Sequence, residues 1–202
     1  MAQVPMTHRH EPHDLLSGMA ESLGERGFFV ANGFLGVELA RAVRAQVGSV
    51  ELKRAGIKRS AQLDDGVRTD EIAWLSSEES TGALAEAVKR FDALRLQVNE
   101  LAWLGLRSFE LQLAKYAPGA HYVRHRDAFP GQDNRRLTAI VYLNEGWAPR
   151  DGGELELFVE PEPLRVQPTL DRLVVFRSEL VEHQVLEARA ERWALTAWYS
   201  AM

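Results

Sequence analysis

His125 and Asp127 stand two residues apart in the stretch YVRHRDAFPGQDNRRLTAIVYLN, Tyr122 to Asn144, while His183 lies on a later alternating run and Arg192 follows it by nine residues. In extended backbone, residues i and i+2 point to the same side, so His125 and Asp127 can aim at a common point. A histidine from a neighbouring strand, His183, completes a set of two imidazoles and one carboxylate. That set suits iron(II), because it holds one face of an octahedron and leaves adjacent positions for reactants. Tetrahedral zinc with an activated water is the chemical competitor, since the same three donors serve it. The chain has no cysteine, which excludes thiolate nucleophiles, zinc–thiolate sites and cysteine-ligated clusters and leaves nitrogen and oxygen donors for any metal. Glu182, next to His183, is sent to the opposite face by strand parity and is not a candidate ligand.

Arg192 separates the two metal readings. In RWALTAWYS, alternation places Arg192, Ala194, Thr196 and Trp198 on one face and Trp193, Leu195, Ala197 and Tyr199 on the other. An inward arginine is costly unless it meets an anion. A dicarboxylic cosubstrate would supply one, its far carboxylate pairing with the guanidinium in a two-pronged fork. In RLTAIVYLN the same parity groups Thr138, Ile140 and Tyr142, and the Tyr142 phenol could donate to that carboxylate. The competing role for Tyr142 is a core tyrosine bonded to backbone; for Arg192 it is a surface ion pair, with Trp193 turned inward.

The elements that must position these groups are legible in outline. Period-three-to-four apolar spacing predicts a short helix from about Leu15 to Leu23, a second over about Val37–Val47 with Leu39, Ala42, Val43 and Val47 on one face, and a long one over Thr81–Leu104. In the long helix the stripe runs through Leu84, Val88, Phe91, Leu94 or Leu96, Val98 and Leu101. From Ser108 the period changes to two, with eight candidate strands in SFELQLAKY, AHYVRH, RLTAIVYLN, GELELFV, PLRVQP, RLVVFR, EHQVLE and RWALTAWYS. GFFVANGF and RTDEIAWL are further strand candidates before the long helix. Short strands separated by tight turns predict a closed or nearly closed β sandwich or barrel with the helices against one face. DGGELELF reads as a turn at Asp151, Gly152 and Gly153, followed by Leu155 and Leu157 facing in and Glu154 and Glu156 facing solvent.

The 202 residues suit one domain, 15–202, with a support region over 15–107 and a β core over 108–202. Residues 1–14, carrying His8, His10 and His13, read as a disordered tail, and 52–67 as a mobile surface loop of the kind that contacts substrate. A net charge of −5 argues against a broad hold on nucleic acid, apart from a local basic patch at Arg135 and Arg136. No apolar stretch is long enough to span a bilayer, and the N-terminus lacks a signal-peptide core, so the expectation is a cytoplasmic protein with no membrane partner.

YAPGAHYVRHRDAF, RRLTAIVYLNEGW, DGGELELF, DRLVVFRSELVEHQV and ERWALTAWYS together resemble the iron(II)- and 2-oxoglutarate-dependent dioxygenases, and within them the prolyl 4-hydroxylase group, including the hypoxia-inducible-factor prolyl hydroxylases and their bacterial relatives. The resemblance is strong over residues 108 to 200, with a weaker echo in RTDEIAWL. It implies a double-stranded β-helix, or jelly-roll, of cupin-like form, mainly β with N-terminal α-helices. It implies His125, Asp127 and His183 as iron ligands, Arg192 as partner of the 2-oxoglutarate C5 carboxylate with help from Tyr142, and Thr196 as a further polar contact. Tyr116 and Trp198 match pocket aromatics, and by the same match Asp70 pairs with Arg135 at the pocket rim.

The implied activity is hydroxylation coupled to conversion of 2-oxoglutarate to succinate and CO2, with Fe(II), 2-oxoglutarate and O2 required and ascorbate supporting turnover. The loop at 52–67 resembles the segment that closes over a peptide in protein-hydroxylating relatives. The expected partner is therefore a prolyl residue within a protein, such as the translation factor elongation factor Tu. The alternatives are a free amino acid or small metabolite as substrate, or a cupin-like module that senses oxygen or 2-oxoglutarate. Nucleic-acid demethylation uses the same iron chemistry but is disfavoured by the acidic balance and by the lack of a second suitably spaced arginine after Arg192.

Overall fold

Residues that alternate apolar and polar on one side, or are apolar on both, are sorted here by what covers each face of the strand. The computed structural model describes residues 16, 18–56, 64, 66–128 and 134–201. The expected N-terminal tail and much of the expected loop at 52–67 lie outside the described residues. In chain order come α1 (Met19–Glu25), β1 (Phe28–Asn32), α2 (Val37–Gln46), β2 (Lys53–Arg54), β3 (Glu71–Leu75) and α3 (Gly82–Ala102). The β core follows as β4 (Ser108–Tyr116), β5 (Tyr122–His125), β6 (Arg135–Tyr142), β7 (Leu155–Phe158), β8 (Leu164–Val166), β9 (Arg172–Arg177), β10 (Glu182–Val185) and β11 (Arg192–Ser200).

A seven-stranded sheet has the order β1-β9-β6-β11-β4-β3-β2, and a four-stranded sheet the order β5-β10-β7-β8. Every strand pairing is antiparallel. The two sheets enclose a shared apolar interior of Ala114, Ile140, Tyr142, Val174, Phe176 and Ala194 from the larger and Leu155, Leu157 and Val185 from the smaller. This is the double-stranded β-helix. The outer face of the larger sheet packs Leu113, Leu137, Val141, Leu195 and Tyr199 against Ala40, Val43, Leu84, Phe91, Leu94 and Val98 of α2 and α3. Each of the larger buried side chains stabilises the fold by roughly 1.5–3 kcal/mol. Tyr199 donates its hydroxyl to the Phe91 carbonyl at 2.9 Å, tying sheet to helix.

β11 lies between β6 and β4. With an interior on one side and helices on the other, both of its faces are covered. Arg192 is 2% exposed and its neighbour Trp193 4%, so turning the arginine inward does not force the tryptophan out. Three helical and strand details differ from the sequence reading. In α2 the buried positions are Ala40 and Val43, and Ala42 is exposed, because the helix is rotated towards the sheet. In α3 it is Leu94 that packs inward, while Leu96 and Leu101 are half exposed. β2 is a two-residue edge strand too short to leave a period.

Glu156, expected to face solvent, is 7% exposed. Its strand is flanked on both sides, and Arg165 of β8 and Gln184 of β10, its cross-strand neighbours, close over it and donate to the carboxylate. The Arg165 hydrogen bond is the main reason its pKa is lowered. The Asp-Gly-Gly turn is where a glycine is required. Gly152 has φ 64° and ψ −149°, a region open essentially to glycine alone, and a Cβ there would sit 2.4 Å from the Glu187 carbonyl oxygen. Gly152→Ala should therefore lower the thermal midpoint by several degrees, corresponding to about 1–3 kcal/mol, and a melt unchanged from wild type would contradict this. Among the described residues no helix is long and apolar enough to cross a membrane.

Candidate functional site

β5 and β10 are neighbours in the smaller sheet with His125 directly opposite His183. Asp127 follows β5 by two residues and turns into the interior between the sheets. The result is a cluster in which one donor atom from each of His125, Asp127 and His183 lies within 4.8 Å of the others. Asp127 Oδ1 is 3.7 Å from His125 Nε2, and Oδ2 is 3.7 Å from His183 Nε2. His125 Nδ1 lies 2.8 Å from the Val123 carbonyl oxygen and His183 Nδ1 3.4 Å from that of Val181. Placing the ring proton on Nδ1 in both leaves the two Nε2 lone pairs facing the carboxylate. Thr138 of β6 donates to Asp127 Oδ2 at 2.7 Å and itself contacts the Ser178 hydroxyl at 2.8 Å.

Burial works to raise the Asp127 pKa, but His183, His125 and the Thr138 hydroxyl outweigh it and hold the carboxyl well below the usual carboxylate range. Burial, with a smaller contribution from His125, pushes the His183 imidazole down to about 4 against the attraction of Asp127. At neutral pH the cluster thus offers an ionised carboxylate and an unprotonated His183, which is the state a cation needs. These groups could hold one metal ion.

The same shift makes a stability prediction for the metal-free protein. Between pH 6.5 and about 4 the unfolded chain takes up a proton at His183 that the folded chain refuses, so stability is full above this window and falls through it on acidification. The loss should approach about 3 kcal/mol near pH 4. The depressed Asp127 acts only at lower pH, below its unfolded value. Denaturant titrations at closely spaced pH values check this, and a flat profile across the window would contradict it.

Arg192 opens β11 on the interior face. Its Nε donates to the Gly153 carbonyl at 2.8 Å, and its guanidinium carbon lies 4.7 Å from the Tyr116 ring centroid and 5.0 Å from that of Tyr142. Among the described residues no carboxylate lies within ion-pair distance of it. Among the described residues the buried Tyr142 hydroxyl donates to no acceptor, with the Arg192 guanidinium as its polar neighbour, which disposes of the backbone-bonded core role. Burial raises the Tyr142 pKa to about 12 against the pull of Arg192, so it is a phenol able to donate. Burial likewise pushes Tyr116 up, with Asp70 adding to it. A buried cation without a counter-ion beside an unused phenolic donor is a receptor for a carboxylate.

Further along the same face, Thr196 pairs across to Gln112 and Ile140, and Trp198 to Glu110 and Thr138. Trp198 carries the Arg135 guanidinium 4.6 Å above its ring, leans on Trp74 at 5.7 Å and keeps a buried, unpartnered Nε1. These polar and aromatic groups form one wall of the interior.

One expected contact is wrong. Asp70 does not pair with Arg135; it is 1% exposed and accepts two hydrogen bonds from Arg68, at 2.8 and 2.7 Å. Arg135 pairs with Glu110 at 2.9 Å. An arginine two residues away in the same extended segment reaches Asp70 at less cost than one from β6. Glu182 points away from the cluster, as parity requires, to Arg124 and Arg126. The sequence reading missed Gly153 as the carbonyl that holds Arg192, Tyr122 beside His125 and Arg68 over Tyr122. Thr138 shared a predicted face with Tyr142, a signal that placed it at the site without its partner.

Comparison with known proteins matches residues 111–200 to the model of the 2OG-Fe(II) oxygenase superfamily. The human prolyl hydroxylase EGLN3 is 33% identical over 193 residues, spanning 88% of this chain and 80% of that protein. The crystal structure of a Pseudomonas putida prolyl-4-hydroxylase superposes with a TM-score of 0.83 at 36% identity, over 93% of this chain and 99% of that one. A Trichoplax adhaerens prolyl hydroxylase, solved with a peptide fragment of the hypoxia inducible factor oxygen degradation domain, gives 0.84 at 29% identity, over 94% and 90%.

Proposed function

Because the chain belongs to the 2OG-Fe(II) oxygenases, and among them to the prolyl hydroxylase type, we propose that it hydroxylates a prolyl residue within a protein. Iron(II), 2-oxoglutarate and O2 supply the oxidising power, so that a C–H becomes C–OH while the keto acid is converted to succinate and CO2. His125, Asp127 and His183 would hold the iron, which would supply the oxidising chemistry there. Thr138 fixes the Asp127 carboxylate, and the two backbone carbonyls fix the imidazole tautomers. Arg192 would pair with the far carboxylate of 2-oxoglutarate, with Tyr142 donating a further hydrogen bond to it and Thr196 adding a polar contact. The apolar lining from both sheets keeps bulk water from the reacting centre.

Trp198 and Arg135, with Trp74, form the substrate-facing wall, Tyr116 lies at the cosubstrate end beside Arg192, and Asp70 acts through Arg68. The strands from Ser108 to Ser200 carry the metal and cosubstrate groups, while the described residues before them add helices and the β1, β2 and β3 strands that support this core. The observation that carries the reading is the buried, uncompensated Arg192 beside the unpartnered Tyr142 hydroxyl, in the same β core as the His125–Asp127–His183 cluster. The similarity extends beyond the core to prolyl hydroxylases over most of the chain, and one of these relatives was solved with a peptide. That favours a protein substrate over a free amino acid.

The deciding experiment is incubation of the purified protein with cell lysate, Fe(II), ascorbate and 2-oxoglutarate, then mass spectrometry for proline carrying one added oxygen. Elongation factor Tu, the translation factor suggested by the resemblance to bacterial members, is the first peptide set to score. Modification confined to free amino acids would overturn the protein-substrate reading.

A further inference from the structure

Each imidazole of the cluster is restrained at Nδ1 and also over an aromatic ring. His183 is tilted against Phe176, with centroids 4.6 Å apart. His125 lies almost flat on Tyr122, with centroids 3.7 Å and planes 17° apart. A single hydrogen bond at Nδ1 leaves an imidazole able to swing about that contact. A flat ring against its face removes the swing, whereas the His183 ring, tilted by 56° with centroids 4.3 Å apart, offers no such flat contact.

Tyr122 is itself clamped. The Arg68 guanidinium lies 4.4 Å above its ring centroid, and both prongs of that guanidinium are fixed by the buried Asp70 carboxylate. The backbone keeps the two segments in register: Val123 N–H donates to the Val67 carbonyl at 2.9 Å, Thr69 N–H to the His121 carbonyl at 3.2 Å, and His121 N–H to the Thr69 hydroxyl at 3.1 Å. Contacts therefore run without a gap from Asp70 through Arg68 and Tyr122 to His125. The first two of these residues precede β3, outside the β core.

We propose that Tyr122 is a positioning residue for His125, held in place by the Arg68–Asp70 pair. This rests on the reading of His125 as an iron ligand. The ring of Tyr122 does the positioning, since it is the ring that stacks on the imidazole and carries the guanidinium, while the interaction of the hydroxyl with Arg68 adds to the clamp. The buried Arg68–Asp70 pair then has a purpose beyond local stability, which such pairs serve poorly.

The test is anaerobic Fe(II) affinity by chelator competition, on the metal alone, with the melting temperature of the metal-free protein measured alongside. Tyr122→Phe keeps the stack and should bind iron as wild type does. Tyr122→Leu should bind roughly three- to ten-fold more weakly, the range an aromatic pair accounts for, and the visible absorption of the complex with 2-oxoglutarate should shift. Should Tyr122→Leu fail to fold, the double variant Arg68→Met, Asp70→Asn leaves the ring in place without its clamp, and a weakened iron affinity is again expected. Wild-type affinity in Tyr122→Leu, or in the double variant, overturns the proposal, as does a loss in Tyr122→Phe equal to that in Tyr122→Leu. Failure of the underlying iron reading is separately visible, as equal iron binding by wild type and His183→Ala.

Discussion

Arg192→Met should raise the 2-oxoglutarate concentration needed for half-maximal turnover by about 100-fold or more, while leaving the protein without cosubstrate as stable as wild type or more so. Two charge-assisted hydrogen bonds to a carboxylate contribute together about 3 kcal/mol at the low end of their range, which is the 100-fold. The stability half of the prediction has the opposite sign for a physical reason. Arg192 is almost wholly buried, is held by one backbone carbonyl and two ring faces, and has no carboxylate partner among the described residues, so without a bound carboxylate the fold carries the cost of a desolvated cation. Methionine has a similar length and no such cost. Arg192→Lys should rescue poorly, because it lacks both the Nε that donates to Gly153 and the planar fork. Turnover against 2-oxoglutarate concentration and melts with and without 2-oxoglutarate measure both halves. An unchanged 2-oxoglutarate requirement would remove Arg192 from the cosubstrate site.

His183→Ala should abolish Fe(II)-dependent turnover, with an iron affinity loss above about 100-fold. Losing an outer partner of a metal ligand typically costs about 10- to 100-fold, and loss of the donor itself must exceed that. His183 is nearly inaccessible to water, so no solvent-facing group stands ready to replace its Nε2. The variant should also lose the visible charge-transfer absorption that iron(II) and 2-oxoglutarate give together anaerobically, and the increase in melting temperature that they confer on wild type. Its metal-free form should be less sensitive to acid between pH 6.5 and 4, because the imidazole that refuses a proton in the fold is gone. A variant that keeps both the absorption and the wild-type acid profile would falsify the assignment of His183 to the metal.

Much of this was legible in the chain because a strand is a ruler of period two. The spacing of His125 and Asp127, the parity of Arg192 with Thr196 and Trp198, and that of Tyr142 with Thr138 all follow from where Cβ atoms point, and β4, β9 and β11 have the bounds that alternation gave them. Helix periodicity identified α3 but not its rotation, since Leu94 and Leu96 satisfy the spacing about equally and only the sheet beneath decides which is covered.

Spacing and composition therefore specify which residues share a face and which donors exist: nitrogen and oxygen ligands, an inward arginine, and a β core with helices before it. The fold sets which faces meet. It set His125 opposite His183 across β5 and β10, gave Arg192 no carboxylate partner and the Tyr142 hydroxyl no acceptor among the described residues, and covered Glu156 from two neighbouring strands. It also gave Asp70 to Arg68 instead of Arg135, and stacked Tyr122 on His125. The reason is that periodicity is a property of one segment, whereas ion pairs, ring stacks and burial depend on the register between segments distant in the chain, which side-chain spacing along a single strand does not encode.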